Sequence, residues 1–108
     1  TRDRTRGPRL DLVEAVKMQT ADTAAWMGLT DRGIIAQGLR ADINVIDYEQ
    51  LKLHAPELRF DLPAGGKRLV QRADGYSATI INGIVSYRDG EATGALPGRL
   101  VRNRRVAA

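Results

Sequence analysis

The chain has 108 residues, of which 43% are hydrophobic and 28% charged, with a formal net charge of +4 and no cysteine. This composition is typical of a globular domain and excludes disulfides and thiolate metal sites. No run of about 18 apolar residues is present, so the sequence predicts neither a membrane-spanning helix nor a signal peptide, and we expect a cytoplasmic protein.

Basic residues crowd both ends of the chain. The arginines concerned are Arg2, Arg4, Arg6, Arg9, Arg99, Arg102, Arg104 and Arg105. Such ends could bind nucleic acid or an acidic protein. However, no aromatic side chains are interleaved with them, and no helix-turn-helix or zinc pattern lies beside them. We therefore expect the arginines to face solvent or another part of a protein rather than nucleic acid.

The first predicted element is a helix that begins at Leu12. Asp11 precedes it and stands three residues before Glu14, an arrangement typical of an N-cap. A second short helix is predicted over residues 23 to 27. It should end at Gly28, because a glycine followed by an apolar residue is typical of a Schellman motif.

After the second helix, the sequence pattern predicts strands joined by glycine-rich turns. Residues 41 to 47 read as a strand, with Ile43 and Val45 on one face. Residues 48 to 66 show no sustained period and are predicted to be an irregular excursion with one short helix near residues 49 to 53. A short strand is predicted at residues 69 to 71.

The strongest structural signal is a β-hairpin over residues 77 to 91. Two β-rich runs flank Asn82 and Gly83, the residue pair that a two-residue type I′ turn favours. Asp89 and Gly90 form a second turn signal directly after it. The hairpin contains no nucleophile with a base and no metal-ligand pattern, so it predicts fold rather than chemistry.

Candidate chemical residues elsewhere are few. His54 is the only histidine and is predicted to be a solvent-facing loop residue. Asp42 and Asp47 flank the first strand, where their expected role is to accept hydrogen bonds from turns and strand ends. Asp3, between two arginines, is expected to be ion-paired rather than catalytic.

Two further patterns lack the context that their chemistry requires. Gly65, Gly66 and Lys67 are similar to the end of a phosphate loop, but the earlier glycine and the following Ser or Thr are missing. Ser77 and Ser86 are not part of a nucleophile-elbow motif. The sequence therefore predicts no catalytic, cofactor-binding or metal-ligating residue in this chain.

Several segments together resemble a known family. Residues 29 to 47, LTDRGIIAQGLRADINVID, are similar to the G-x-I-x-x-G-x-x-A-D-x-x-x-x-D signature in the C-terminal part of the amidohydrolase superfamily. Residues 78 to 85 resemble the closing hairpin of that part. Residues 1 to 7, 61 to 66 and 89 to 99 resemble the branch that contains N-acyl-D-amino-acid deacylases.

The resemblance implies a larger enzyme of which this chain is the C-terminal end. In that family a (β/α)8 barrel carries zinc, and its histidines and catalytic Asp lie upstream of Thr1. The implied fold here is an α+β fragment, with short N-terminal helices followed by a mainly antiparallel β-sandwich portion. Residues 1–29 would be the end of the barrel domain, and residues 30–108 would be the sandwich strands.

The implied function is that of a non-catalytic region whose parent hydrolyses N-acyl-D-amino acids or related amides with metal-activated water. Its expected partners are the rest of the parent chain, with association of copies through open sheet edges as a further expectation. The alternative is a stand-alone β-rich interaction module that binds an acidic partner or nucleic acid through its arginine-rich ends.

Overall fold

A computed structural model describes residues 5 to 101. These residues form two compact units, residues 5–41 with 99–101 and residues 42–98. No helix among them is long and apolar enough to cross a membrane. The domain boundary that the resemblance implies between residues 29 and 30 stays a prediction.

The first unit contains two helices, α1 (Leu12–Gln19) and α2 (Ala21–Trp26). Helix α1 begins where the sequence predicts, because the Asp11 carboxylate accepts hydrogen bonds from the backbone N–H groups of Val13 (2.9 Å) and Glu14 (3.3 Å). These bonds satisfy donors that an uncapped helix leaves without a partner. The predicted N-cap is confirmed.

Helix α2 starts two residues earlier than predicted, and its end is that of a Schellman motif. Gly28 adopts φ 69°, its N–H donates to the Ala25 carbonyl (3.0 Å), and the Leu29 N–H donates to the Ala24 carbonyl (2.8 Å). A positive φ at this position carries little strain for glycine alone. The predicted helix stop at Gly28 is confirmed.

The second unit consists of eight short strands, and every pairing among them is antiparallel. The strands are β1 (Ile43–Ile46), β2 (Lys52–Leu53), β3 (Glu57–Leu62), β4 (Gly66–Val70), β5 (Ala73–Asp74), β6 (Tyr76–Ile81), β7 (Ile84–Arg88) and β8 (Glu91–Ala92). The largest sheet has the order β1-β6-β7-β8, while β2 pairs with β5 and β3 pairs with β4.

The hairpin predicted around Asn82 and Gly83 joins β6 to β7. Asn82 has φ 51° and Gly83 has φ 79°, so both central residues of the turn are left-handed, as a type I′ turn requires. The second turn repeats the pattern, with φ 48° at Asp89 and 81° at Gly90. Both predicted turns are confirmed.

The predicted excursion and its short helix are corrected by the structure. Residues 49 to 53 form no helix, because the chain turns at residues 48 to 50 and then enters β2. Strand β2 is fixed by distant partners, Lys52 opposite Asp74 and Leu53 opposite Ala73, which no local pattern reveals. The excursion also contains β3 and, after a turn at Pro63–Gly65, the start of β4.

The described residues bury little. Ala24 and Ser86, exposed 7% and 4%, are the only ones among residues 5–101 that are buried. Large apolar side chains are exposed in both units, for example Trp26 at 87% and Leu69 at 72%. The structure is thus an α+β fragment with antiparallel sheets whose apolar faces are largely open.

Candidate functional site

His54 lies next to a carboxylate in the second unit. Its Nε2 is 2.8 Å from Asp74 Oδ2, and both side chains are exposed. Its backbone N–H donates to the Arg72 carbonyl (3.0 Å), and its carbonyl accepts from Gln71 Nε2 (2.9 Å), so the end of β2 is held against β5. The predicted exposure of His54 is confirmed, while its partner Asp74 was missed.

A polar cleft of about 970 Å³ opens beside this pair, within the second unit. Both acidic and basic side chains line it, among them Asp47, Glu57, Arg59 and Arg68. Within residues 5–101, the side-chain partners of His54 are Asp74 and Gln71, and neither is a nucleophile. The cleft therefore shows charge pairing and no catalytic dyad with a nucleophile.

The strongest ion pair of the second unit joins β4 to β3. Arg68 donates from Nε and Nη2 to the two oxygens of Asp61, both at 2.7 Å. This bidentate geometry favours the ionised carboxylate. The hydrogen bonds from Arg68 accordingly lower the pKa of Asp61, and the same contact raises the pKa of Arg68.

The first unit has a comparable charged group at Asp31. Its carboxylate accepts from Arg32 Nε (2.9 Å) and Arg40 Nε (3.2 Å), and its carbonyl accepts from the Arg40 N–H (2.8 Å). The hydrogen bond from Arg32 lowers the pKa of Asp31. A cleft of about 530 Å³, also lined by Arg99 and Val101, lies beside them. The pairing fixes the loop that follows α2.

Asp42 and Asp47 have the structural roles that the sequence predicts. Asp42 Oδ1 accepts from the backbone N–H of Asn82 (2.8 Å). Asp47 Oδ1 accepts from the N–H groups of Glu49 (3.1 Å) and Gln50 (3.2 Å), which closes a turn. Their carboxylates thus support β1 at its two ends.

The other residues considered for chemistry either have structural roles or lie outside the described part of the chain. Gly65 lies in the turn between β3 and β4 with φ 71°, so the phosphate-loop pattern here joins two strands instead of preceding a helix. The buried hydroxyl of Ser86 donates to the Thr79 carbonyl (3.1 Å). Asp3, Arg2, Arg4, Arg102, Arg104 and Arg105 lie outside the described residues.

Zinc, which the resemblance implies for the parent enzyme, does not fit the donor groups seen here. A zinc site needs three or four converging nitrogen, sulfur or carboxylate ligands. Within residues 5–101 no group of three His, Cys, Asp or Glu side chains is arranged to hold a metal. His54 has a carboxylate partner in Asp74, but this pair falls short of a metal centre.

Comparison with known proteins identifies the family. The chain matches the profile of the amidohydrolase family over residues 1–87. No curated protein and no solved structure matches it significantly. Because the matched segment spans more than half of the sequence and includes both helices and the strands from β1 into β7, the chain belongs to the amidohydrolase family.

Proposed function

We propose that this chain is the non-catalytic C-terminal region of a metal-dependent amidohydrolase. The parent enzyme would hydrolyse the amide bond of N-acyl-D-amino acids with metal-activated water. The family match supports the hydrolase origin. The deacylase branch is supported by the resemblance of residues 1 to 7, 61 to 66 and 89 to 99 to that group.

The observation that carries the proposal is the amount of apolar surface left open in both units. In the first unit Trp26 and Ile35 are exposed 87% and 85%, although large apolar side chains of this kind stabilise a fold chiefly when they are buried. In the second unit the strands are too short and too open to enclose a core. Such surfaces are typical of a region that packs against further parts of a larger protein.

The proposed partner of these surfaces is the rest of the parent chain, including its barrel. Helix α2 has six residues, and a helix of that length is unstable in water without tertiary packing. Trp26, at its last position, would supply that packing once a neighbouring surface covers it. The zinc of the parent enzyme would then be held by residues outside this chain.

Two proteins test the proposal: this chain, and the product of the complete reading frame that encodes it. Both are assayed for release of free amino acid from N-acetyl-D-methionine and N-acetyl-L-methionine, with zinc added. We expect hydrolysis of the D-substrate by the complete product and none by this chain. D-selectivity tests the deacylase branch separately from the hydrolase class.

Two results would contradict the proposal. Hydrolysis by the 108-residue chain alone would show that it carries its own catalytic groups. If the complete reading frame encoded no segment with metal-binding histidines, the chain would not be part of the proposed metal-dependent enzyme. Loss of D-selectivity with retained amide hydrolysis would instead correct the branch and keep the class.

A further inference from the structure

The turn between β6 and β7 places an asparagine side chain next to a backbone nitrogen, and neither group is held by other residues. Asn82 and Gly83 are both exposed. Within residues 5–101 the side-chain amide of Asn82 makes no hydrogen bond, and the Gly83 N–H has no acceptor. A Cβ atom at Gly83 would have no atom within 4 Å. Both groups can therefore move without breaking a contact of their own.

Gly83 also allows this turn to change type while the strands stay paired. Asn82 has φ 51° and Gly83 has φ 79°, the type I′ pattern. A type II′ turn keeps φ at the first central residue but has a ψ there of about −120° instead of about +30°, and a φ of about −80° at the second. Both types join hairpin strands, and glycine adopts either sign of φ. A flip of the Asn82–Gly83 peptide group is thus compatible with the pairing of Ile81 with Ile84.

The flip brings the Gly83 nitrogen to the side chain of Asn82. Viewed along the Cα–C bond of an L residue, Cβ stands about 120° from the backbone nitrogen, so a ψ near +30° puts the next nitrogen on the side away from Cβ. A ψ near −120° puts it in line with Cβ, where a bond to Cγ closes a five-membered ring. This backbone conformation is strained for a residue with a Cβ, so the type II′ turn is the minor form.

We propose that Asn82 is a self-modification site, at which the flipped turn closes to a succinimide. The Gly83 nitrogen loses its proton and bonds to Asn82 Cγ, while the Cγ–Nδ2 bond breaks and Nδ2 leaves with a proton as ammonia. Water then opens the ring at either of its two carbonyl carbons, which produces aspartate or isoaspartate at position 82. The reaction consumes water alone, and the inference does not depend on the hydrolase assignment.

The product disturbs a contact between β1 and this turn. Asp42 precedes β1, and its Oδ1 accepts from the Asn82 N–H (2.8 Å). Modification adds a second carboxylate to the residue that donates this hydrogen bond, and like charges repel at this range. Isoaspartate also lengthens the main chain by one methylene, so the two-residue turn no longer matches the strand register. Modification should therefore loosen the contact of β1 with the β6-β7 hairpin.

Asn44 supplies an internal reference because its surroundings differ. It lies within β1 opposite Thr79, and its Oδ1 accepts from Thr79 Oγ1 (3.0 Å). The extended backbone of a strand does not bring the next nitrogen in line with Cβ. The β-branched Val45 follows Asn44 and crowds that nitrogen further. We expect Asn44 to be modified slowly.

Peptide mapping by mass spectrometry locates the modification. The purified chain is held at physiological pH and temperature, sampled over days and digested with trypsin, which separates residues 73–88 with Asn82 from residues 41–52 with Asn44. Conversion of an amide to a carboxyl adds about 1 Da to the fragment. Fragment 73–88 should gain this mass at least about tenfold faster than fragment 41–52. Equal rates, or a gain in 73–88 that requires denatured protein, would overturn the proposal.

Two variants separate the turn from the Asn-Gly dipeptide. Asp89→Asn places the dipeptide in the second turn, where φ is 48° and 81° at the central residues, and fragment 89–99 should gain mass within about threefold of the rate at Asn82. Val45→Gly places the dipeptide within β1, where modification of Asn44 should stay at least about tenfold slower than that of Asn82. Circular dichroism checks that both variants fold. A Val45→Gly chain modified equally fast at both positions would show that the turn has no role.

Urea distinguishes the flip from unfolding. Below the unfolding transition the strands stay paired, so a reaction through the flip should keep its rate within about twofold, whereas a reaction through unfolding should accelerate steadily with urea. Steady acceleration would overturn the flip.

Asn82→Asp tests the consequence of the added charge. The variant should have a lower denaturant midpoint than the wild-type chain, and the shift should be much smaller when Asp42→Asn is also present. Equal shifts in the two backgrounds would show that repulsion by Asp42 has no part in the effect.

Discussion

Gly33 lies directly against Ala24: a Cβ atom at Gly33 would stand 2.6 Å from the Ala24 Cβ and 3.0 Å from the Thr20 carbonyl oxygen. Its φ of 96° is also one that residues with a Cβ rarely adopt. This close approach places the loop after α2 on the helix and covers Ala24, the buried apolar residue of the first unit. The contact therefore holds the first unit together.

Gly33→Ala should accordingly destabilise the first unit by about 3 kcal/mol, from backbone strain and the steric clash together. The measurement is amide hydrogen exchange at Leu29, whose N–H donates to the Ala24 carbonyl. Gly38→Ala is the matched control, since Gly38 has φ 85° and no atom within 4 Å of an added Cβ. It should cost about 1 kcal/mol. If both substitutions destabilised the unit equally, the contact with Ala24 would make no contribution to its stability.

Substitutions at Asn82, in the turn with Gly83, should change the stability of the hairpin according to how well the new residue tolerates a positive φ. Asn82→Gly is expected to change the free energy of unfolding of the β6-β7 hairpin by less than about 0.5 kcal/mol, whereas Asn82→Val should cost about 2 kcal/mol. Chemical denaturation followed by circular dichroism measures the difference. Similar values for Gly and Val would mean that the turn is not left-handed in solution.

Asp42 should stabilise the second unit by joining the start of β1 to the turn after β6. Asp42→Ala removes the acceptor of the Asn82 N–H and is expected to cost about 2 kcal/mol, because a charged acceptor is lost. Glu91→Ala on β8 removes the same charge from the same sheet and should cost less than about 0.5 kcal/mol. The stabilities of the two variants are compared through their denaturant midpoints. If Glu91→Ala destabilised the chain as much as Asp42→Ala, the loss of stability would come from the change in net charge and not from the hydrogen bond.

Acid should weaken the β3-β4 hairpin through Asp61. The hydrogen bonds from Arg68 lower the pKa of Asp61 in the folded state, so the folded chain binds this proton less tightly than the unfolded chain. The resulting stabilisation is present above the unfolded pKa of about 3.9 and is lost as pH falls through the lower folded pKa.

Carboxyl NMR resonances measure this titration directly. The Asp61 carboxyl should titrate below the range of a free Asp, and Arg68→Gln should return it toward that range. Lys67→Gln removes the same charge from the adjacent position and should change the titration much less. An Asp61 titration that is insensitive to Arg68→Gln would contradict the observed pair.

The local features of the fold could be predicted from sequence. Asp11 as a cap, Gly28 as a helix stop and Asn82 with Gly83 as a turn each depend on a few adjacent residues whose backbone preferences are strong. All three are found in the structure. The roles of Asp42 and Asp47 followed in the same way from their positions beside a strand.

The pairings between distant residues could not be predicted. Strand β2 has two residues, too few for a period to appear, and depends on Ala73 and Asp74 for its partners. The ion pair of Asp61 with Arg68 spans the Pro63–Gly65 turn and becomes visible in the sequence once that turn is recognised. His54 with Asp74 gives no local signal at all. The contacts between side chains in the candidate site could therefore be identified only from the structure.

The most direct test of the non-catalytic assignment is the zinc content of this chain. The purified 108-residue protein is incubated with excess zinc, freed of unbound metal by gel filtration and measured by inductively coupled plasma mass spectrometry. Because no three donor side chains converge among residues 5–101, we expect far less than one zinc per chain. Retention of one zinc per chain, lost on substitution of His54, would place a metal centre in this chain and contradict the account.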